Sequence, residues 1–223
     1  MLANREWLIV FDSLPVLVQG ALVTIQISLI AMTGAVLLGL VVALMRISRI
    51  KALQLIAKVY ISFFRGTPLL VQLLMLYFGL TSFHIILDPV PAAVIGLILH
   101  FGAYISEIFR ATILSISRGQ WEAALSLGMT NSQVLRRIIL PQAARTAIPP
   151  LWNCLIDTLK SSSLASVVTV PELTRQVEEQ SSAQFVFMPY FITLAVFYWV
   201  MVIVMGWVQE WLEKKLEIPG GSQ

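Results

Sequence analysis

Residues 121 to 141 read WEAALSLGMTNSQVLRRIILP, and within them Glu122-Ala123-Ala124, Gly128, Ile138, Leu140 and Pro141 fall at the spacing EAA-x3-G-x9-I-x-L-P. Trp121, Ala124, Leu125 and Gly128 stand at i, i+3, i+4 and i+7, one face of a short helix that Gly128 terminates in the left-handed conformation. Thr130-Asn131-Ser132-Gln133 has the form of a capping box. It opens a second helix that buries Val134, Leu135, Ile138 and Ile139 before Pro141 stops it. Two short helices at a fixed angle make a rigid element suited to take force from a partner. Glu122, near the first helix start, suits the positive end of the helix dipole. The alternative is a surface helix lying on lipid headgroups.

Outward from this polar insertion the chain is apolar. Of its 223 residues 58% are hydrophobic and 12% charged, and the mean hydropathy is +0.84. A soluble domain of that length cannot cover so much apolar surface with so few charges, so the chain is an integral membrane protein. Asn4, Arg5 and Glu6, then Asp12, interrupt the start of the chain, so Met1 to Phe11 is no cleavable signal. The first long apolar helix directs insertion. A single cysteine, Cys154, excludes an intrachain disulfide and argues against a thiolate metal cluster.

Stretches able to cross about 30 Å of hydrocarbon as a helix of about 20 residues lie at 17–45, 59–80, 91–116, 148–170 and 187–211. The fourth is the least apolar, with Asn153, Asp157, Lys160 and Ser161-Ser162-Ser163 at its centre. With the N-terminus outside, inner ends and loops carry Arg46, Arg49, Lys51, Lys58, Arg65, Arg110, Arg118, Arg136, Arg137, Arg145, Lys214 and Lys215. Outer segments carry only Arg5 and Arg175, and the outer loops are acidic through Asp88, Glu172, Glu178 and Glu179. The positive-inside rule then gives an all-α polytopic membrane protein with five transmembrane helices, N-out and C-in.

Finer features follow. Ala31, Ala35, Gly39 and Ala43 form a small-residue stripe for close helix approach, either within the chain or at a subunit seam. Trp207 and Trp211 at one end of the fifth span, with Tyr190 and Phe191 at the other, read as interfacial anchors, and Trp199 sits deeper. In Arg65-Gly66-Thr67-Pro68, Thr67 caps a restarted helix and Pro68 takes its first position. Such a restart turns a positive dipole end toward a cavity; an ordinary kink braced by Arg65 is the alternative.

The chemistry of catalysis is missing. No G-x-x-x-x-G-K-[ST] exists to cradle nucleotide phosphates, no H-E-x-x-H to hold a metal, and no Ser/His/Asp set with a definite spacing. His84 and His100 are far apart in sequence, and each reads as a hydrogen-bonded structural histidine. No catalytic residue, no metal and no nucleic-acid partner is expected. A charge at the bilayer centre costs about 2.5–3.5 kcal/mol on insertion scales, so Glu107, Asp157 and Lys160 must face protein or water. They are candidates for a substrate pathway. Asp157 and Lys160, like Glu107 and Arg110, are also spaced i, i+3 as self-compensating pairs.

The EAA-x3-G-x9-I-x-L-P pattern resembles the cytoplasmic signature of binding-protein-dependent ABC importer permeases. FFRGTPLLVQL at 63–73, AYISEIFRA at 103–111, GQWEAALSLGM at 119–129 and LPQAARTAIPPLWN at 140–153 look like the polar amino acid branch, the histidine and glutamine permease family. The resemblance covers roughly residues 13–212, and within the branch the chain looks most similar to L-cystine permeases. It implies a type I importer permease fold over a single domain at 1–223, with a coupling loop at about 118–145. It also implies a second permease subunit in a homo- or heterodimer, two ATPase subunits that hold the ATP and Mg, and an extracytoplasmic solute-binding protein. The chain itself would carry no cofactor. Gln120 to Gly128 would be the coupling helix, with Glu122, Ala123, Ala124 and Gly128 at the ATPase. Where family members commonly read Leu-Lys-Asp-Thr-Ser-Leu, this chain has Leu159-Lys160-Ser161-Ser162-Ser163-Leu164. The carboxylate is gone from position 161 and another stands at Asp157.

The reading is a permease subunit in the bacterial inner membrane, importing a polar amino acid, with cystine favoured, by ATP-driven alternating access. In the pathway a zwitterion needs a cation for its carboxylate and an anion for its ammonium. Asn153, Lys160 and Ser161 serve the first need, Glu107 or Asp157 the second, and Tyr104 packs on the side chain. The rivals are an ABC permease for another small solute, an ion-coupled secondary transporter using Asp157 and Lys160 as a proton relay, and a regulated channel.

Overall fold

Apolar helices in lipid gain nothing from hiding apolar atoms, so they associate by close packing and by hydrogen bonds. The computed structural model describes residues 2–216 and the side chains of residues 6–215, so the last residues of the chain and the side chain of Arg5 lie outside the description. Among the described residues all regular structure is helical. The first helix, α1 (Leu2–Ile47), has 46 residues and is about 70 Å long at 1.5 Å per residue. It therefore starts well before residue 17. Packing explains the extra length: Val10 and Leu17 on its first half are buried against Leu173, Val177 and Tyr190.

The small-residue stripe of α1 packs within the chain. Ala31, Ala35 and Ala43 are fully buried, and α4 (Pro89–Ser115) runs along them. A Cβ on Gly39 would come within 2.7 Å of Ile105 Cγ2 and 3.1 Å of the Gly102 carbonyl oxygen. Only a bare α-carbon lets the two backbones approach this closely. Ile27, Leu73, Leu97, Ile105 and Cys154 complete the central core.

Two shorter helices, α2 (Lys51–Gly66) and α3 (Leu69–Tyr77), meet at a sharp break, and the bent pair turns by 104°. The helix does restart at Arg65–Pro68, but its capping differs from the sequence expectation. Thr67 Oγ1 donates backwards to the Phe63 carbonyl at 2.9 Å, and Pro68 is the N-cap with no side-chain cap on the new helix. A hydroxyl so close to the unpaired carbonyls at the end of α2 satisfies one of those instead.

Beyond α4, helix α5 (Arg118–Ser126) and a short helix α6 (Asn131–Val134) make the polar insertion. A π-helical turn, Leu135–Ile139, then leads directly into α7 (Leu140–Ser161). Pro141 does not stop the second helix as expected. It sits at the first turn of α7, where a missing N–H costs little, and the chain continues as helix to Ser161. A 3-10 segment, Ser162–Val168, follows, then the polar helix α8 (Leu173–Gln184) and finally α9 (Met188–Leu216).

Three helices, Glu6–Ile47, Pro89–Ser115 and Met188–Lys215, are each long and apolar enough to cross a membrane, and the bent α2–α3 pair passes only when taken together. The polar α7 falls outside that set, in keeping with its charged centre. On α9, Trp199, Trp207 and Trp211 are exposed. Tyr190 is not an interfacial anchor. It is fully buried, with its hydroxyl 2.6 Å from Ser13 Oγ on α1, because the extended α1 covers the position that the sequence leaves open.

The polar connection before α8 is locked to α1 and α9 by one carboxylate. Glu172 is fully buried and caps α8, accepting from the backbone N–H groups of Arg175 at 2.8 Å and Thr174 at 2.9 Å. Thr24 donates to it at 3.4 Å and Tyr198 at 3.3 Å. Burial pushes its pKa up to about 7, against the pull of the backbone N–H donors.

Candidate functional site

The polar face of α7 and one face of α4 together line an open cavity of about 420 Å³. From α4 come His100 and Phe101 and, one turn on, Tyr104; from α7 come Cys154, Asp157, Lys160 and Ser161. Lys160 Nζ lies 2.8 Å from Asp157 Oδ1, so the i, i+3 pair is formed. Yet both side chains stay more than half exposed, at 54% and 61%. An ion pair on a helix flanked by apolar spans cannot face hydrocarbon at that exposure without a cost of several kcal/mol. It needs water or a second protein surface over it.

Of the residues expected in the pathway, Tyr104, Asp157, Lys160 and Ser161 line this cavity. Asn153 is exposed on α7, one turn before Asp157, outside the lining residues. Glu107 also stands apart. It accepts from Arg110 Nε at 3.0 Å and Nη2 at 2.8 Å, and Arg46 Nε at the end of α1 approaches to 3.9 Å. Glu107 thus belongs to a cluster one turn of α4 nearer the polar insertion, where it joins the ends of α1 and α4.

Two further residues, Arg65 and Gln72, meet the cavity wall. The Arg65 guanidinium, at the end of α2, lies 5.1 Å from the centre of the Tyr104 ring, a cation–π distance. This contact turns Arg65 toward the cavity side of the helix break. His100 packs against Tyr104 with ring centres 5.1 Å apart, and its Nδ1 lies 3.1 Å from Gln72 Oε1. Gln72, nearly fully buried, donates from Nε2 to the Phe64 and Thr67 carbonyls and to Thr67 Oγ1. One amide therefore closes the break between α2 and α3 and ties it to the cavity. The reading of His100 as a hydrogen-bonded histidine is correct and incomplete: the i, i+4 spacing of His100 and Tyr104 on a polar helix face was the available signal for its second role. Nothing in the sequence signals that Gln72 reaches back eight residues.

The insertion has its own geometry. Ala124 is buried, with Trp121 partly so, against Ile113, Val134, Ile139 and Ala143, and Ile47 and Ile116 pack on the same cluster. So α5 is anchored to the ends of α1 and α4. Its end is a Schellman motif: Gly128 N–H donates to the Leu125 carbonyl at 2.9 Å, and Met129 N–H to the Ala124 carbonyl at 3.2 Å. Gly128 has φ +80°, as the sequence predicted. The capping box is formed, with Thr130 N–H donating to Gln133 Oε1 at 2.8 Å and Gln133 N–H to Thr130 Oγ1 at 3.3 Å. Glu122 and Ala123 are exposed. Leu127, which the sequence reading did not single out, is 83% exposed at the tip. The tip of this anchored element thus presents a bare leucine and a carboxylate at its surface.

Known proteins match this arrangement. Residues 35–218 match the family of binding-protein-dependent transport system inner membrane components. The chain is 43% identical over 208 residues to PatM of Vibrio harveyi, a probable amino-acid ABC transporter permease protein, covering 92% of this chain and 93% of the relative. It is 41% identical over 204 residues to the L-cystine transport system permease protein TcyB of Bacillus subtilis, covering 91% and 87%. A crystal structure described as an amino acid ABC transporter with histidines superposes with a TM-score of 0.90 at 38% identity, over 94% of this chain and 98% of that one.

Proposed function

The chain belongs to the family of binding-protein-dependent transport system inner membrane components, and on that premise we propose that it passes a polar amino acid, cystine favoured, into the cytoplasm by ATP-driven alternating access. Membership makes it a multi-pass membrane subunit of an amino-acid ABC importer, with ATP hydrolysis on a separate subunit. The proposal adds five spans, N-out and C-in, with α7 as the fourth. It also adds a second permease copy or homologue over the polar cavity, two ATPase subunits and a solute-binding protein. ATP and Mg would belong to the ATPases.

The observation that carries this reading is the Asp157–Lys160 pair, 2.8 Å apart and more than half exposed on a helix between apolar spans. An amino acid presents the complementary pair of charges. Its carboxylate goes to Lys160, supported by Ser161, and its ammonium to Asp157, while Tyr104 packs on the side chain; Asn153, one turn before Asp157, stands outside that contact. Glu107, held by Arg110 and Arg46, acts as a latch between the ends of α1 and α4 more readily than as a substrate ligand. At the insertion, Glu122, Ala123, Ala124 and Gly128 form the coupling helix that docks in the ATPase. The polar cavity is small and open, and nothing in its lining selects cystine over other amino acids. The favoured substrate rests on the similarity to an L-cystine permease.

The test is reconstitution of the permease with its ATPase and binding protein in proteoliposomes, with ATP hydrolysis and uptake read across labelled cystine, glutamine, histidine and arginine. Stimulation and uptake by at least one of them is the expected result. Uptake driven by a proton gradient without ATP would refute it.

A further inference from the structure

Among the described residues, His100 has one ring nitrogen hydrogen-bonded and the other without a partner. Gln72 Nε2 faces two backbone carbonyls, Phe64 O at 3.0 Å and Thr67 O at 3.1 Å, and carbonyls only accept. The amide nitrogen must lie on that side, so Gln72 turns its oxygen to His100. An oxygen 3.1 Å from Nδ1 can only accept in turn, so Nδ1 carries the hydrogen. In the neutral ring Nε2 is then a lone-pair acceptor. Nε2 has no hydrogen-bond partner among the described residues and is not sealed from solvent, while the residue lines the cavity beside Asp157 and Lys160.

A bare acceptor beside a charge pair is a recognition element. We propose that His100 is a specificity-determining, substrate-contacting residue whose Nε2 accepts a hydrogen bond from an N–H of the bound amino acid, in a tautomer fixed by Gln72. The inference rests on the amino-acid reading above and adds a contact to it. Lys160 is already suited to the carboxylate and Asp157 to the ammonium. That leaves His100 to read a second donor on the substrate side chain, or to share the ammonium. The arrangement is also mechanically specific. Gln72 spans the α2–α3 break, so the atom that reads the substrate and the bend of the helix hang on one amide.

The test uses isosteres of the two ring nitrogens. Asparagine places an amide near Nδ1 and can still donate to Gln72, but has no atom near Nε2. Glutamine reaches the Nε2 position. Phenylalanine keeps the ring and neither nitrogen. Equilibrium binding of labelled cystine, glutamine, histidine and arginine is measured on the purified permease–ATPase complex without the binding protein, which would otherwise set the apparent affinity. For the amino acid bound tightest by the wild type, H100N and H100F should raise Kd about tenfold or more, the weight of one hydrogen bond to a charged or polarised donor. H100Q should recover most of the affinity. If H100N binds as tightly as the wild type, the inference is overturned, and H100N decides even where H100F fails to assemble. Loss in all three variants alike would also overturn it, because the position would then matter for packing only. A wild-type complex that binds none of the four overturns the amino-acid reading itself.

Discussion

Gly128 ends α5 with φ +80°, and an ideal Cβ built there meets no atom within 4 Å. Space and backbone are therefore separable at this position. A β-carbon in the left-handed region costs about 1–2 kcal/mol, a factor of roughly 5 to 30 in the population of the native turn. Gly128→Ala should impose that cost with almost no added bulk. Gly128→Asn should cost less, since asparagine tolerates the left-handed region, and Gly128→Val should cost most because its β-branch narrows the backbone further. The lesion lies at the tip of the insertion, outside the apolar spans, so insertion in the membrane should be intact. ATP hydrolysis and uptake are read together in proteoliposomes at matched permease levels. The expected result is uptake falling in the order Gly, Asn, Ala, Val, with ATPase subunits lost or hydrolysis continuing without uptake. Alanine and asparagine equal to glycine with valine alone defective would refute the backbone argument, since bulk would then be the cause. Normal uptake in all three would remove the coupling role from this helix.

Lys160→Ala or Asp157→Ala removes one of the two charges that the amino acid meets, the weight of one charge-assisted hydrogen bond, and each should cut uptake at least tenfold at normal assembly. Recovery of uptake in the double variant would instead assign the pair to structure. Glu172 supplies a pH test. Its pKa is raised from 4.5 to about 7, so the folded protein holds that proton more tightly than the unfolded chain, and stability falls as pH rises from about 4.5 to 7. The loss is about 3 kcal/mol at 1.36 kcal/mol per pKa unit. Thermal melts of Glu172→Gln at pH 5 and pH 8 should differ less than those of the wild type. Single-cysteine labelling in a Cys154→Ser background should find positions 128 and 214 accessible from the cytoplasm and positions 88 and 178 from outside. External labelling anywhere in 120–140 would end both the topology and the coupling role.

Local rules read the insertion well. Gly128 in the left-handed region, the Thr130–Gln133 capping box and the burial of Val134 and Ile139 depend on neighbours a few residues away, and periodicity and capping chemistry act over that range. The misreadings are long-range. Tyr190 looks like an interfacial anchor until α1, some 170 residues earlier, extends over it. Thr67 looks like a cap until the unpaired carbonyls of the preceding helix compete for its hydroxyl. Pro141 looks like a stop because the π-helical turn before it leaves no trace in the pattern. The cavity was legible as charge, since Asp157 and Lys160 cannot sit in lipid, and illegible as geometry. No spacing says that the ion pair opens beside His100 while Glu107, one turn along α4 from Tyr104, is drawn off by Arg110 and Arg46.

These placements give α7 a particular role on the proposed reading. The helix begins at Leu140, where Ile139 and Ala143 pack against Ala124 of α5, and runs unbroken to Ser161 in the cavity wall. Its 22 residues span about 33 Å, so one continuous helix joins the insertion to the charge pair. It is softest at the Pro149–Pro150 pair, and the π turn Leu135–Ile139 lies just before its start. Each proline lacks the N–H that would bind the carbonyl four residues back, and an unmade bond there lets a helix bend. Trp152, just past the prolines, donates from Nε1 to the Met205 carbonyl at 2.9 Å and holds the second half of α7 to α9. A swing of α5 therefore bends α7 below that tether, and the tether determines how much of the motion reaches Asp157 and Lys160. Trp152→Phe keeps the ring and removes the donor, so it should loosen coupling, seen as ATP hydrolysed per amino acid moved, without altering amino-acid binding to the permease–ATPase complex. An unchanged ratio of hydrolysis to uptake would show that motion reaches the cavity by a path other than α7.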